Sequence, residues 1–564
     1  MERLRADSLS DRQRRILDGL VAGKSNGVLA QELGITLDGV KWHVSQLLWD
    51  TGCADRHALA DWWRREQGAA KPAFFFGLRW PSGESLAMPV HATLTLVLTV
   101  AIVAGIYAGW TCTGASGPRA TRVSALGKVA YVRDGDVWVK DLPDGDAHRV
   151  TARDFGDEAY VAPKWSPSGA WLLAYSNAQA VVMRADGTSR RVYDGRFTMP
   201  VWSPVADRLA FAHMSDGSGT PDEILVEDAE GSDRIVAASA TAPPGEHAAI
   251  SDVNWSPDGL RIAYAEHHWR DTGASIEHTY EAIRIVAADG SAPPEDRYVE
   301  PAPPEDGLGI FAYDGRSVAF YRLPPFTADG ADGVLLELVT TPGTTPTFYF
   351  ESSPEALLTP GPLPAPGDAK PVALFDPSLR SPVVRGVTAI TEGAGREGWA
   401  QKRVALLVWA SGVIADLSDA AVAAIGPALS FDKQQIAYSA MPDTPALSGG
   451  DDAKRALAQR KIWVMRRASA DDALYRDRQQ LTSDRAYRDE YPQFSADGRE
   501  ILFARLDRED HWSLWLMPSG GGTPTQIVDD IELPSKGGDE AWFGYYGVIA
   551  WHNVFDWWRP RTGA

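Results

Sequence analysis

Cysteine is nearly absent from this chain, with two among 564 residues, Cys53 and Cys112. Two cysteines build no disulfide framework. Positive charge is also short, with 55 Lys and Arg against 75 Asp and Glu and a formal net charge of −20. Residues 1–66 hold ten of each sign, so the whole deficit lies beyond them. So acidic a part is a poor nucleic-acid binder, and any such role falls to the small N-terminal part. Catalytic signatures are missing too. There is no Gly-x-Ser-x-Gly elbow, Walker loop, dinucleotide fingerprint or kinase motif, so no enzyme and no cofactor are expected.

Charge is missing altogether from residues 90–110, VHATLTLVLTVAIVAGIYAGW, which hold no Asp, Glu, Lys or Arg. A helix of that length spans about 30 Å, the thickness of a bilayer's hydrocarbon core. Trp80 before it, and Tyr107 and Trp110 at its far end, suit the interfacial belts. Gly105 and Gly109 stand four apart, a spacing that lets two such helices approach closely. The stretch reads as a single membrane span. On that reading the two cysteines lie on opposite sides and cannot pair within one chain. Residues 67–89 read as a linker that reaches the membrane surface through Phe74, Phe75 and Phe76, and residues 111–127 as a second linker.

Residues 1–66 read as four short helices. Ser10-Asp11-Arg12-Gln13 is a capping box that opens the first, with Ile16, Leu17, Leu20 and Val21 on its inner face. The second is short, with Leu29, Ala30 and Leu33 inward. Gly34-Ile35-Thr36 forms a tight turn into the third, which buries Val40, Val44, Leu47 and Leu48. The fourth carries Ala58, Leu59, Trp62 and Trp63. Two short helices around a turn at Gly34 make a helix-turn-helix, whose second helix enters a major groove. Lys41, Trp42, Ser45 and Gln46 occupy the outward positions of that helix. Lys24, Ser25 and Asn26 stand where backbone N–H groups at a helix start hold a phosphate.

The stretch LSDRQRRILDGLVAGKSNGVLAQELGITLDGVKWHVSQLLWDTGCADR, residues 9–56, resembles the LuxR/GerE-type DNA-binding domain. The matching positions include Leu9, Arg12, Leu17, Gly23, Ser25, Asn26, Ala30, Leu33, Ile35, Val40, Lys41, His43, Val44, Leu47 and Arg56. The region 4 helix-turn-helix of sigma factors is similar. The resemblance implies DNA as a partner. Because the domain is close to neutral, one copy would bind weakly and a homodimer would be needed, with half-sites about one helical turn apart.

Beyond residue 127 the chain changes character. One segment recurs: WSPSGAWLLAY at Trp165, WSPVADRLAFA at Trp202 and WSPDGLRIAYA at Trp255. Weaker copies begin at Phe311, Leu429 and Phe494. A second, alternating segment follows most copies, as at DVWVKD (136–141), EILVED (223–228) and KIWVMRR (461–467). Repeats of this length, rich in strands and Asp-Gly turns, indicate a propeller of four-stranded blades. Residues 128–558 resemble TolB-like propellers, the PD40 subset of WD40-like repeats. The signature fades between about 343 and 428, which is read as one degenerate blade. The chain enters at 128 with the second half of a blade and ends in an aromatic strand, so the last strand is expected to complete the first blade. The repeat aromatics read as core. His267, His268 and the loop 216–223 lack the spacing of metal ligands and read as solvated loop.

The expected fold is therefore multidomain: an all-α helix-turn-helix (1–66), one transmembrane helix (90–110) and an all-β propeller of seven or eight blades (128–558). The expected function is a membrane-anchored one-component transcription regulator of the bacterial cell membrane. Its N-terminus would be cytoplasmic, and its extracytoplasmic propeller would sense a protein, peptide or glycan. The alternative is a membrane-tethered propeller serving as an interaction scaffold, with a helix-turn-helix that no longer binds DNA.

Overall fold

The computed structural model describes residues 11–22, 24, 29, 44, 47, 59–60 and 62–65 of the N-terminal part. It describes 126–560 apart from 153–158, 177–178, 194–199, 216–219, 273–275, 302–306, 324–335, 345, 349, 353–386, 393–401, 410–412, 420, 444–449, 469–474, 510 and 533–548. The chain divides into two compact units, Glu2–Val123 and Ser124–Ala564.

In the first unit, helix α1 spans Asp11–Val21. It begins at Asp11, and Ser10, the first residue of the expected capping box, lies outside the described residues. Ile16, Leu17 and Leu20 are buried against Leu29, Val44, Leu47, Leu59, Ala60 and Trp63, with Val21 and Trp62 at the margin. These are the inner positions that helical periodicity requires. Each buried Leu or Ile contributes about 1.5–3 kcal/mol.

The second unit is propeller-like, and its described residues form an array of eight four-stranded sheets. The first holds β1 (Lys128–Arg133), β2 (Asp136–Asp141) and β3 (Ala147–Arg149). The second holds β4 (Val161–Trp165), β5 (Trp171–Ser176), β6 (Gln179–Arg184) and β7 (Arg191–Tyr193). The third holds β8 (Val201–Trp202), β9 (Arg208–His213), β10 (Glu223–Asp228) and β11 (Ile235–Ser239). The fourth has the longest strands: β12 (His247–Trp255), β13 (Arg261–Asp271), β14 (Ile276–Ala287) and β15 (Glu295–Pro301). The fifth holds β16 (Gly307–Tyr313), β17 (Val318–Leu323), β18 (Leu336–Val339) and β19 (Thr347–Phe348). The sixth holds β20 (Phe350–Ser352), β21 (Val387–Glu392), β22 (Arg403–Val408) and β23 (Val413–Asp416). The seventh holds β24 (Val422–Leu429), β25 (Gln435–Pro442), β26 (Lys461–Arg467) and β27 (Tyr475–Gln480), with helix α2 (Gly450–Leu457) between β25 and β26. The eighth holds β28 (Arg488–Phe494), β29 (Glu500–Leu506), β30 (Trp512–Pro518) and β31 (Thr525–Ile531).

The last strand, β32 (Phe555–Trp558), pairs antiparallel with β1, placing Lys128 opposite Trp558 and Tyr131 opposite Phe555. It completes the first sheet in the order β3-β2-β1-β32. The end of the chain thus closes on the start, as expected, but the start supplies three strands rather than half a sheet. The sixth sheet departs from the meander. Its order is β20-β23-β22-β21, and β20 joins β23 in parallel.

The repeat segment makes the hairpin from the first to the second strand of a sheet. Its serine is the hub of the turn. The Ser256 hydroxyl donates to Asp258 at 2.5 Å and accepts the Arg261 N–H at 2.9 Å. Ser430 and Ser495 do the same with Asp432 and Gln435 and with Asp497 and Glu500. Side-chain bonds of this kind hold a turn without help from the ladder.

The repeat tryptophan reaches back one sheet. Trp255 Nε1 donates to the Val201 carbonyl at 3.1 Å, Trp202 to Lys164 at 3.2 Å and Trp165 to Asp556 at 3.1 Å. Each indole ties its own sheet to the first strand of the preceding one, and for Trp165 that strand is β32. Apolar clusters fill the spaces between sheets. Leu173 and Val182 meet Leu209 and Phe211 in one cluster, and Ile462 and Val464 meet Phe494 and Phe503 in another.

Candidate nucleic-acid interface

Trp63 folds back onto α1, where its Nε1 donates to Asp18 Oδ1 at 2.8 Å. Arg64 Nη2 donates to the Val21 carbonyl at 3.1 Å, near the end of the same helix. Gly19, in the middle of α1, allows the closest approach. A Cβ there would lie 2.2 Å from Leu29 Cδ2, so any larger residue would push the Leu29 side chain from its place against α1. Neither Gly19 nor the Asp18–Trp63 bond stands out in the sequence, because a mid-helix glycine reads simply as a weak helix former.

Lys24 follows α1 directly, its backbone N–H bonded to the Gly19 carbonyl at 3.0 Å. It is half-buried and stands at the expected entry to the second helix. The other candidate DNA contacts, Ser25, Asn26, Lys41, Trp42, Ser45 and Gln46, lie outside the described residues. Val44 and Leu47 are helical and buried. Two inward residues three apart fix which way a helix faces.

In the second unit, charge is concentrated in pairs within and beside the sheets. Glu227, fully buried, accepts from Arg191 and Arg234, each at 2.7 Å, and from the Tyr193 hydroxyl. Burial, the bond to Glu227 and that carboxylate's charge push the Tyr193 hydroxyl well above its ordinary range. Glu266 accepts from His268 and Arg284, each at 2.8 Å. Arg284 also reaches Asp296 at 2.7 Å.

His267 and His268 correct one expectation. They are not solvated loop. Both lie within β13, opposite Glu281 and Tyr280 of β14, and His268 is 6% exposed. The strand continues past the point where its neighbours in other sheets stop, and the alternating carboxylates of β13 and β14 hold the imidazoles. Of the loop 216–223, residues 216–219 lie outside the described residues. Asp222 accepts the Ser215 N–H at 2.7 Å and Glu223 opens β10. Among the described residues no group of three or more His, Cys, Asp and Glu is placed to hold a metal ion. Among them, too, no helix is long and apolar enough to cross a membrane, and residues 90–110 lie outside them.

Residues 7–63 match the family of bacterial regulatory proteins, luxR family. No curated protein matches the chain. Among solved structures, the chain is similar to a protein described as TolB from Agrobacterium tumefaciens, at 14% identity and a TM-score of 0.28, covering 71% of this chain and 87% of that one. It is also similar to the β-propeller domain of the Trilobed protease from Pyrococcus furiosus, at 9% identity and a TM-score of 0.34, covering 71% and 98%. A third similarity is to dipeptidyl peptidase 4 of Porphyromonas gingivalis, at 11% identity and a TM-score of 0.43, covering 71% of this chain and 58% of that one.

Proposed function

We propose that this chain, which carries a LuxR-type helix-turn-helix at residues 7–63, is a membrane-anchored one-component transcription regulator. The family match is the observation that carries this reading. It is supported by the burial of Val44 and Leu47. A helix with those two residues inward turns Trp42, Ser45 and Gln46 away from the core and leaves Lys41 on its flank. Lys41 contacts phosphate. Trp42, Ser45 and Gln46 face base edges, and Lys24, Ser25 and Asn26 hold the backbone at the start of the second helix.

Residues 90–110 cross the membrane once, on the support of their length and lack of charge. DNA binding sets the N-terminus in the cytoplasm and the propeller outside. The eight sheets are eight blades of a closed ring that takes up a protein, peptide or glycan. Binding shifts the population between two arrangements of a dimer and so changes how its helix-turn-helix domains pair.

Two measurements test this. The first is titration of selected operator DNA with the intact dimeric protein at several salt concentrations. Lys41→Ala should weaken binding to all sequences and lower the salt slope by about one unit. Absence of salt-dependent binding, which the near-neutral charge of residues 1–66 would favour, replaces the regulator with the scaffold. The second is protease treatment of intact cells, or of spheroplasts where an outer membrane is present. It should digest the chain beyond the span and spare the helix-turn-helix. A protected propeller, in cells where an external control is cut, reverses the topology.

A further inference from the structure

The fourth sheet holds a relay that the regulator reading does not use. β12, β13 and β14 lie side by side and antiparallel. Ser251 of β12 has its Oγ 2.9 Å from Nε2 of His267 on β13. Nδ1 of the same imidazole is 3.2 Å from Oε1 of Glu281 on β14. The other Glu281 oxygen accepts the Leu308 N–H at 3.0 Å, so the carboxylate is held from two sides. Burial is graded along the relay. The Glu281 side chain is 1% exposed and that of His267 18%, while Ser251 is half-buried.

A hydroxyl bonded to an imidazole, whose far nitrogen is bonded to a buried carboxylate, is the arrangement that activates a serine nucleophile. It is recognised by geometry and not by place in the chain, so the lack of a Gly-x-Ser-x-Gly elbow does not bear on it. The backbone after Ser251 is unusual as well. The register passes from Ser251 opposite Ala265 to Asn254 opposite Ala263, leaving Asp252 and Val253 without partners on β13. Asp252 sits at φ 52, in the left-handed region, and its carboxylate accepts the Ile310 N–H at 3.4 Å, turned toward the next sheet. The N–H of the residue after a nucleophile is where acyl-transfer sites place an oxyanion donor.

We propose that Ser251, His267 and Glu281 form an acyl-transfer centre that hydrolyses carboxylic esters. Ser251 Oγ bonds to the carbonyl carbon and passes its proton to His267 Nε2. The bond to the leaving alcohol breaks, and the alcohol takes that proton. Water then gives a proton to the same nitrogen and attacks the acyl-serine. The acid is released and the serine regains its proton. Glu281 holds the imidazole in the tautomer this needs.

The test is labelling of the full-length protein with a fluorophosphonate, with the modified residue located by mass spectrometry. Ser251 should be labelled in the folded protein and not after urea unfolding. His267→Asn should slow the labelling by about a hundredfold, the usual weight of a general base, and p-nitrophenyl acetate hydrolysis should fall with it. An unlabelled Ser251 in the folded wild type reduces the relay to a structural hydrogen-bond chain. So does labelling that proceeds equally in urea or without His267. A chain that is labelled yet never binds DNA would leave this centre standing and remove only the regulator.

Discussion

A chain truncated before Phe555 should lose the cooperative unfolding of the 124–564 unit. The segment removed is short, but it is joined to both ends of the array. Phe555 and Trp557 are almost fully buried and would together forfeit about 3–6 kcal/mol of apolar burial. Trp557 Nε1 donates to the Leu126 carbonyl at 2.7 Å and Trp558 Nε1 to that of Pro167 at 2.9 Å. Asp556 Oδ2 accepts the Trp165 N–H at 2.8 Å. Gly169, at φ +70, leaves room for the Trp558 ring, which a Cβ there would meet at 2.4 Å. Truncation also bares the edge of β1. Against a total stability of about 5–15 kcal/mol, these losses take away a large share. Urea unfolding followed by tryptophan fluorescence checks it. A truncated chain with an unchanged midpoint would mean that β32 does not close the array.

The second large effect is expected at Glu490. It lies in β28, buried with Arg460 and Arg488. Arg460 Nη1 donates to its Oε1 at 2.6 Å and Arg488 Nε at 2.7 Å, while Trp551 Nε1 donates to Oε2 at 3.0 Å. Burial alone would raise the carboxyl's pKa. The charges of Arg488 and Arg460, and the bonds from both, outweigh it and hold the group below its ordinary value. Burial lowers the Arg488 guanidinium to about 10. Glu490→Gln would leave two guanidinium groups buried without their counter-charge, at about 3–5 kcal/mol. The pH dependence follows from the depressed pKa. Stabilisation by Glu490 is complete above the usual carboxylate range and is lost as pH falls through the folded value. Wild type should therefore lose more stability on acidification than Glu490→Gln, measured by urea unfolding at neutral and acid pH. A neutral-pH difference under about 1 kcal/mol would show the pair to be dispensable.

The anchors of this architecture were legible because they recur. Trp165, Trp202, Trp255 and Phe494 each end the first strand of a sheet, and KIWVMRR is β26 residue for residue. The inner face of the N-terminal unit was legible for the same reason of period, down to Val44 and Leu47. What lacked a period was missed. β20, three residues long and parallel to β23, carries no alternation to read. Helix α2 is a single insertion whose Ala453, Ala456 and Leu457 pack on Ala423 and Met441. His267 read as loop because nothing local tells a histidine that its partners sit 16 residues before it and 14 after it. Of the side chains proposed to contact DNA, Lys24 alone lies among the described residues.

The back-reaching indoles also set an order in time. Trp202 and Trp255 find their acceptors 38 and 54 residues earlier, in chain already made when each appears. Trp165 must wait for Asp556, 391 residues later. Contacts between near neighbours form quickly, and the entropy of closing a loop rises with its length. Sheets two to four can therefore register one upon another during synthesis, while the first sheet stays a three-stranded piece with an open edge. The seam at β32 is the last contact to form on the ribosome's schedule, and until it does β1 remains available for pairing with another chain.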